Sequence, residues 1–596
     1  MDRKTIIILV ACFGLFLLMP QLAKRIYPDK PAPPQPTNVV SQTATGAAPT
    51  VTTTGAPPIA SLAPLTTPLP VPPAAPERAG DLIELTNENA HYTFTPNGGG
   101  LKLIELVHFP ETVSSSERKN PTRRMASLNT AASVPVLAVL GEGLAGDSVF
   151  ELSHNAANVR ATKTLTNGLA IVKEFALSSN YIVAATVRLE NQSGVPLALP
   201  AQEYVVGTAT PMGPADDGSA VGVQWYNGSS TSPDISAGWF ANRTLGCFPG
   251  TPRPIYSEGQ SNVVWAAVHN QHFAIVAMPS APAPQVVVRP VDLPRPTDVD
   301  PQNQSKPAPK GYFTTLVYPA TTLAPGQVLE RRVFLFAGPK EYRTLARVAT
   351  RFGNNVDAVM GFGGFFGFFS KGLLLAMNWL HDVFKLGYGW AIIAITIIIK
   401  SLFWPLTQAS TRSMKRMAAL QPEMKALQAK FKDDPVKMNK KMMEFWKEHK
   451  VSPMSGCLPT LIQMPVFIGF FYMIRSAIEL RGASFLWIAD LAKPDTLFYV
   501  AGFPVNLLPL IMGATMLWQS HMTPPSPGMD PMQAKMMRYM PLIFLFMLYN
   551  FSAGLTLYWT VQNLLSILQM KLTKTSQAAP AAAPAATSAL PPKKWK

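Results

Sequence analysis

The chain has 596 residues, of which 47% are hydrophobic and only 14% are charged, and its mean hydropathy is positive. A composition this apolar excludes an entirely water-soluble protein and predicts that one part of the chain lies in lipid while another folds in water. The formal net charge of +16 favours negatively charged partners such as nucleic acid, anionic lipid or the ribosome surface. The cysteines Cys12, Cys247 and Cys457 lack metal-ligand spacing, so we predict no disulfide framework, no metal site and no cofactor.

The N-terminus begins with charged residues and continues as an apolar run from Thr5 to about Leu22. Residues 9–12, LVAC, match a lipoprotein cleavage box that would leave Cys12 as a lipidated N-terminus. The apolar run continues past Cys12, however, and is long enough for a short or tilted span. We therefore predict an uncleaved transmembrane anchor over residues 1–23, with lipidation of Cys12 as the alternative.

Two segments of different composition follow the anchor. Residues 24–80 are rich in Pro, Ala and Thr, which predicts an extended linker. Residues 81–345 contain short runs of β-branched and aromatic residues separated by Asn, Gly, Pro and Ser, which predicts a large all-β sandwich. His269 and His272 in HNQH would point to opposite faces of a strand, so we interpret them as ordinary strand or turn histidines and not as metal ligands.

Residues 346–575 predict a multi-pass membrane unit, and residues 576–596 a basic tail. Polar residues interrupt the apolar surface of 365–385, which predicts a helix lying in the membrane interface. Five apolar segments predict spans near 389–408, 458–477, 498–519, 537–551 and 554–571. With the N-terminal anchor they make six spans, and the last two are expected to form an antiparallel hairpin because so few residues separate them.

The distribution of basic residues predicts the orientation in the membrane. Residues 410–452 carry many more Lys and Arg than acids, so the positive-inside rule places this segment in the cytoplasm. The tail is also basic, whereas the loop at 475–496 is balanced in charge. Counting back from 410–452 puts both termini in the cytoplasm and the β domain in a bacterial periplasm.

Lys400 lies about halfway along the span predicted at 389–408. Thr396 lies one helical turn before it, and Thr407 and Thr411 follow at i+7 and i+11, which predicts a polar stripe beside a groove. Because the five later spans contain no Asp or Glu, we expect Lys400 to lack a counter-ion and to be hydrated from the cytoplasmic side. The alternative is a lysine that snorkels to the headgroups.

The segment 410–452 predicts a cytoplasmic helical hairpin, with Asp434 as an N-cap and Pro435 at the first helical position. Its methionine and aromatic residues follow helical spacing. They either pack the two arms together or offer an adaptable surface to apolar partners. The candidates for such contacts are Met414, Met417, Met424, Met442 and Trp446.

The membrane unit resembles the YidC/Oxa/Alb family of membrane protein insertases, and the β domain resembles the periplasmic supersandwich of the Gram-negative form. The resemblance lies in five motifs that occur in the family's order: PLTQASTRSMKRMAALQPEMKALQ, KDDPVKMNKKMMEFWKEHKVSPMSGCLPTLIQMPVFIGFFYMI, ELRGASFLWIADL, DPMQAKMMRYMPLIF and SAGLTLYWTVQNLLSILQ. It implies a multi-pass α-helical protein with a five-helix insertase core and a hydrophilic groove that is open to cytoplasm and lipid.

The resemblance also implies roles for particular residues. Lys400 stands where the family usually has arginine, and Lys keeps the charge but loses the bidentate fork. Thr396 matches a groove threonine, and Tyr558 and Trp559 match an aromatic pair that touches the substrate. Gln463 is a further polar candidate, for which an interhelical hydrogen bond is the alternative.

The function implied is that of an insertase and chaperone of the inner membrane, which acts alone or with the Sec translocase and is not an enzyme. The implied partners are nascent membrane protein segments, the Sec translocase, the ribosome and signal recognition machinery, and anionic lipids. The sequence contains no P-loop, nucleophile elbow or zincin motif. From the residues alone, a channel or transporter and a tethered periplasmic sugar-binding protein stay open as alternatives.

Overall fold

The computed structural model describes residues 81–113, 123–144, 149–213, 216, 218, 220–243, 250–294, 308–362, 364–431, 434–449, 458–523 and 531–573. The predicted anchor, linker and basic tail lie outside these residues, as do the three cysteines. The described residues form two compact units. One contains the described part of 27–375 together with 469–492, and the other contains 376–468 and the described residues from 493 onward.

The β domain consists of nineteen strands among the described residues, and every strand pairing in it is antiparallel. In chain order the strands are β1 (Ile83–Thr86), β2 (Ala90–Thr95), β3 (Gly100–Pro110), β4 (Met125–Leu128), β5 (Val139–Leu140), β6 (Glu151–His154), β7 (Asn158–Thr164), β8 (Leu169–Leu177), β9 (Ile182–Asn191), β10 (Leu197–Leu199), β11 (Gln202–Ala209), β12 (Gly222–Tyr226), β13 (Tyr256–Glu258), β14 (Trp265–His269), β15 (Phe273–Pro279), β16 (Gln285–Asp292), β17 (Lys310–Tyr318), β18 (Thr321–Leu323) and β19 (Val328–Pro339).

Two large sheets build the predicted sandwich. An eight-stranded sheet has the order β12-β14-β15-β19-β9-β8-β7-β6, and a five-stranded sheet has the order β13-β16-β17-β11-β5. Strands β11 and β17 pack against β14 of the larger sheet. All residues of β11 are buried, as expected of a strand covered on both faces, whereas residues of β9 alternate between buried and half-buried. A four-stranded sheet, β1-β2-β3-β4, and the pair β10-β18 complete the domain.

The interior of the β domain contains charged side chains with fixed partners. Arg289 donates two hydrogen bonds of 2.7 Å to the carboxylate of Glu203, and Thr315 donates a third at 2.9 Å. Lys173 is fully buried, and its Nζ donates to the carbonyl oxygens of Gly98 at 2.6 Å and Leu137 at 2.9 Å. Each charge is therefore compensated by groups that the fold itself holds in place.

The two histidines of HNQH lie at the turn between β14 and β15 and not along one strand. The Nε2 of His269 lies 3.0 Å from Asp234 Oδ1, and the backbone N–H of His272 donates to Asn270 Oδ1. Among the described residues, no group of three or more His, Cys, Asp or Glu could hold a metal ion. His269 is the last residue of β14 and His272 lies in the turn, so the assumption that both lie on one strand is wrong.

Eleven α-helices occur in the described part of the chain. They are α1 (Ala237–Ala241), α2 (Tyr342–Phe352), α3 (Gly364–Phe384), α4 (Tyr388–Leu402), α5 (Trp404–Ala419), α6 (Gln421–Lys430), α7 (Pro435–Glu448), α8 (Leu458–Ser476), α9 (Leu507–Met522), α10 (Pro531–Leu548) and α11 (Ala553–Leu572). Taken one by one, none of the described helices has both the length and the hydropathy expected of a membrane span. Residues 365–384 and 388–402 reach that standard as a pair, bent by 118°.

The segment predicted as one span at 389–408 is two helices. Helix α4 ends at Leu402, and α5 begins at Trp404. Pro405 has no N–H to donate, and its ring clashes with the preceding turn, which kinks or breaks a helix, whereas proline is well tolerated in the first turn of a new one. The single stripe expected from Thr396 to Thr411 is therefore divided between two helices.

The segment predicted as a span at 498–519 begins instead with a β-hairpin. Strands β20 (Thr496–Val500) and β21 (Phe503–Asn506) pair antiparallel, and α9 starts only at Leu507. Two residues with positive φ, Ala501 and Gly502, form the turn type that suits a two-residue hairpin loop. Hydropathy alone does not separate an apolar hairpin from an apolar helix.

The helix predicted at 537–551 is α10, which starts six residues earlier, at Pro531. Lys535 and Arg538 interrupt the apolar run, so the predicted helix starts too late. Lysine and arginine are good helix formers, and the helix includes both residues. Helix α11 agrees closely with the segment predicted at 554–571. The rings of Phe544 on α10 and Trp559 on α11 lie 5.9 Å apart, as expected for neighbours in a helical hairpin.

The cytoplasmic hairpin predicted at 410–452 contains α5, α6 and α7. Asp434 caps α7 by accepting a hydrogen bond of 3.0 Å from Lys437 N, as the sequence predicted. Met417, Met424 and Met442 are buried, so packing accounts for them and the expectation that they form an exposed contact surface is wrong. Trp446 is half-buried, and the side chain of Met414 lies outside what the structure describes.

Candidate functional site

A small cavity lies among the helices of the second unit. Its lining comes from α4, α5, α8 and α11 and comprises Ile399, Lys400, Phe403, Leu406, Thr407, Gln463 and Gln562. The break between α4 and α5 brings Phe403, Leu406 and Thr407 to this cavity together with Lys400. Lys400 is the one charged residue in that lining.

Lys400 is held inside this helical unit. Only 6% of the residue is exposed, and its Nζ donates a hydrogen bond of 2.8 Å to Ser566 Oγ on α11. Ser566 donates its own hydroxyl hydrogen to the carbonyl of Gln562, which leaves a lone pair for the lysine. The ammonium group of Lys400 is therefore directed to α11.

Among the described residues, no carboxylate forms a salt bridge with Lys400. Ser566, a partner that the sequence did not predict, accepts a hydrogen bond from it. A hydroxyl supplies a hydrogen bond but no negative charge, and an ammonium group has three N–H donors. The positive charge of Lys400 is therefore oriented by its neighbour and not neutralised.

Polar residues form a stripe on α11 beside this cavity, and sequence reasoning found only its first member. Tyr558, Gln562, Ser566 and Gln569 follow one another at intervals of four, four and three residues. Gln562 lines the cavity, Ser566 accepts from Lys400, and Gln569 Nε2 donates to Thr407 Oγ1 at 2.6 Å. The same helical periodicity that identified Thr396 beside Lys400 would have identified this stripe.

The remaining candidates, Thr396, Trp559 and Gln463, lie in different surroundings. Thr396 is buried, and its hydroxyl donates to the carbonyl of Ile392 at 2.7 Å, so its polar group is satisfied within its own helix and does not line the cavity. Trp559 is half-buried and packs edge-on against Phe467 of α8, with ring centroids 4.7 Å apart. Gln463 lines the cavity, and an interhelical hydrogen bond from its amide stays a prediction.

The side chains that line the cavity carry two amides, one hydroxyl, one ammonium group and three apolar groups. They offer hydrogen-bond donors and acceptors and one positive charge next to apolar surface.

Comparison with known proteins places the chain in a family. Residues 379–579 match the family model described as 60Kd inner membrane protein, and residues 82–376 match the one described as YidC periplasmic domain. A membrane protein insertase YidC of Syntrophus aciditrophicus is 30% identical over 590 residues, which cover 96% of this chain and 98% of that relative. The chain belongs to the YidC family of membrane protein insertases.

Other members of the YidC family are similar over a smaller part. A membrane protein insertase YidC of Pelobacter propionicus is 45% identical over 260 residues, and the alignment covers 43% of this chain and 46% of that relative. A crystal structure described as that of an active YidC insertase is 18% identical and covers 84% of this chain and 94% of that chain, with a TM-score of 0.34.

Membership of the YidC family gives the coarse architecture of this protein. It has a periplasmic β-sandwich domain and a membrane insertase core, and it is a membrane protein with a role in protein insertion. The transporter and the tethered sugar-binding protein are set aside as descriptions of the whole chain.

Proposed function

We propose that this YidC family member inserts nascent membrane protein segments through the cavity around Lys400, without covalent chemistry. The observation that carries the proposal is the position of Lys400 opposite the polar stripe of α11. A single cation without a carboxylate partner among the described residues lines the same cavity as Thr407, Gln463 and Gln562. The vacant counter-charge is supplied by the substrate.

The proposed mechanism divides a substrate into two parts. Its hydrophilic flank enters the hydrated cavity, attracted by Lys400, so the flank crosses less hydrocarbon. Its apolar stretch moves along α8 and α11 into lipid, driven by a hydrophobic transfer worth several kcal/mol for a helix of ~20 residues. Phe467 and Trp559, whose rings touch at the α8–α11 boundary, are the proposed contacts for that stretch.

The proposed topology has six spans, with both termini in the cytoplasm. The spans are the predicted anchor at 1–23 and the helices α4, α8, α9, α10 and α11, and the cavity opens toward the cytoplasm. The hairpin from α5 to α7 then lies on the cytoplasmic side, where its basic surface suits the ribosome, signal recognition machinery or anionic lipid. Cooperation with the Sec translocase belongs to the same proposal.

The test changes the charge of the cavity and of the substrate together. Lys400→Leu and Lys400→Glu should slow the insertion of single-span substrates with acidic translocated tails, and Glu should be worse because it repels them. Two unit charges at ~4 Å attract by about 1 kcal/mol in water and about 4 kcal/mol at an effective dielectric of ~20. A hydrated cavity lies toward the lower value, so we expect an effect of a few-fold to some tens of fold.

Protease protection of the substrate in reconstituted vesicles measures insertion. Lys400→Arg is the matched control, because it retains the charge, and neutral tails should be least affected in every variant. If the Leu, Glu and Arg variants all insert every tail as the parent does, the proposed electrostatic role of Lys400 is excluded.

A further inference from the structure

The β20–β21 hairpin presents apolar side chains to its surroundings on both faces. Directly paired residues share a face, so Phe498, Val500, Phe503 and Val505 lie on one side, and Tyr499 and Pro504 on the other. Tyr499 is 69% exposed, and Leu497, Phe498, Val500 and Phe503 are each about half exposed or more. There is no charged residue between Asp495 and His521.

The base of this hairpin is fixed to the helices of the second unit. Tyr549, in the turn after α10, donates its hydroxyl to Pro504 O at 2.9 Å, and Asn506 Nδ2 donates to Tyr549 O at 2.9 Å. Asp495 accepts from the backbone N–H of Leu508, the second residue of α9, at 2.6 Å. The hairpin is therefore attached to the helices at a defined place, the start of α9. The ring of Phe503 stacks on Tyr549, while Phe498, Tyr499 and Val500 stay more than half exposed.

A hairpin of this composition needs an apolar environment. An isolated pair of strands is at best marginally stable in water, and an exposed apolar patch on a strand edge promotes aggregation. A protein partner docked on one face would leave the other face in water. Lipid surrounds both faces, so the two-sided exposure favours lipid.

The length of α9 supports the same conclusion. Its 16 residues span about 24 Å, which is less than the ~30 Å of a hydrocarbon core. The uncharged sequence continues from α9 backwards through β21 and β20 without a break. The hairpin supplies the apolar surface that α9 lacks at the membrane boundary where the helix begins.

We propose that the β20–β21 hairpin inserts into the interfacial region of the leaflet at which α9 begins and anchors that end of the helix to lipid. This inference rests on the proposed crossing of the membrane by α9, but not on the groove mechanism. The outer edges of a two-stranded hairpin carry unpaired backbone N–H and C=O groups, which the hydrocarbon core does not tolerate. The hairpin therefore lies at headgroup depth, where Phe and Tyr side chains meet both apolar and hydrated surroundings.

Spin-label accessibility in the full chain tests this assignment. Cys12, Cys247 and Cys457 are replaced by serine, and one nitroxide is attached at Tyr499→Cys, Leu510→Cys or Val436→Cys. Leu510 is 43% exposed on α9 and Val436 is 80% exposed on α7. The protein is reconstituted into vesicles of phosphatidylethanolamine and phosphatidylglycerol, and collision rates are measured with oxygen, which prefers lipid, and with a water-soluble nickel chelate.

The ratio of oxygen to nickel collisions at 499 is expected to exceed the ratio at 436 at least severalfold and to lie below the ratio at 510. Phe498→Asp, combined with the label at 499, should lower the ratio toward that of 436, whereas Val436→Thr, a neutral change on α7, should not alter the ratio measured at 499.

A ratio at 499 equal to that at 436 overturns the proposal. Protection of 499 from both reagents also overturns it, because such protection indicates a protein partner. A water-like ratio at 510 would instead contradict the proposed span.

Discussion

Two buried lysines, one in each unit, illustrate different uses of a cation in this protein. Lys173 in the β domain is fully buried, donates to two backbone carbonyls and lies 4.7 Å from the ring of Phe150. Lys400 in the helical unit is nearly as buried but donates to one hydroxyl and lines an open cavity. Lys173 has two acceptors supplied by the fold, whereas Lys400 has one, and we propose that its remaining donors serve the substrate.

The kind of partner separates the charges of the β domain from the charge of Lys400. The Glu203–Arg289 pair belongs with Lys173, because all its principal partners are fixed side chains of the sandwich. In the cavity, Gln562 and Thr407 share the lining with Lys400 and no carboxylate neutralises the charge. Burial alone thus does not distinguish Lys400, the proposed functional cation, from Lys173, whereas the kind of partner does.

The largest expected effect comes from breaking the buried pair of the β domain. Arg289→Met leaves Glu203 buried with only Thr315 as a side-chain donor, and removing one partner of a buried ion pair costs about 3–5 kcal/mol. Urea unfolding of the detergent-solubilised chain, followed by tryptophan fluorescence, measures the loss. Arg332→Met, which removes an exposed partner of Glu330, is the control and should cost less than ~1 kcal/mol.

The second prediction concerns Lys173 and the pH dependence of stability. Burial, with a smaller contribution from nearby Lys163, lowers the pKa of Lys173 from 10.5 to about 7. Between these values the folded chain binds fewer protons than the unfolded chain, so the free energy of unfolding rises with pH. The slope from this group is about 1.4 kcal/mol per pH unit.

Lys173→Met should remove this slope between pH 7 and pH 9, and it should also destabilise the domain by about 1–3 kcal/mol because two buried carbonyls lose their donor. Urea unfolding of the parent and the variant at several pH values separates the two effects. Equal slopes in the two proteins would show that Lys173 titrates as an ordinary lysine.

The smallest expected effect comes from neutralising Lys400 in place. Ser566→Asp provides a carboxylate where the structure has a hydroxyl 2.8 Å from Nζ. Lys400 then has a fixed, negatively charged partner, as Arg289 has in Glu203. Insertion of substrates with acidic tails should then fall toward the level of Lys400→Leu, a loss of the order of 1 kcal/mol in a hydrated site. Protease protection in vesicles is again the measurement.

Ser566→Asn is the matched control, because it is close to Asp in size and carries no charge. Thr396→Val should also insert at the parent rate, since the Thr396 hydroxyl is bonded to its own helix. If the Asp and Asn variants insert acidic tails equally well, the charge of Lys400 is not what attracts the substrate.

The sequence predicted the elements whose signal is local. The β-rich composition of 81–345, the apolar stretches that became α8 and α11, and the N-cap at Asp434 all depend on residues close together in the chain. Lys400 was also evident, because a charge in an apolar run is unusual wherever the run folds. The motifs shared with the YidC family identified the family before any coordinates.

The tertiary structure decided which polar groups meet. Ser566 lies 166 residues after Lys400, and no local pattern specifies that pairing. The same applies to Thr396, whose hydroxyl turned to its own helix, and to the methionines that filled the inside of the cytoplasmic hairpin. The apolar residues 498–506 became a hairpin because a two-residue turn and the contacts with Tyr549 and Asp495 were available there. Hydropathy describes how a segment interacts with its solvent. The hydrogen-bond partners of its polar groups are determined by packing between helices that are distant in the sequence.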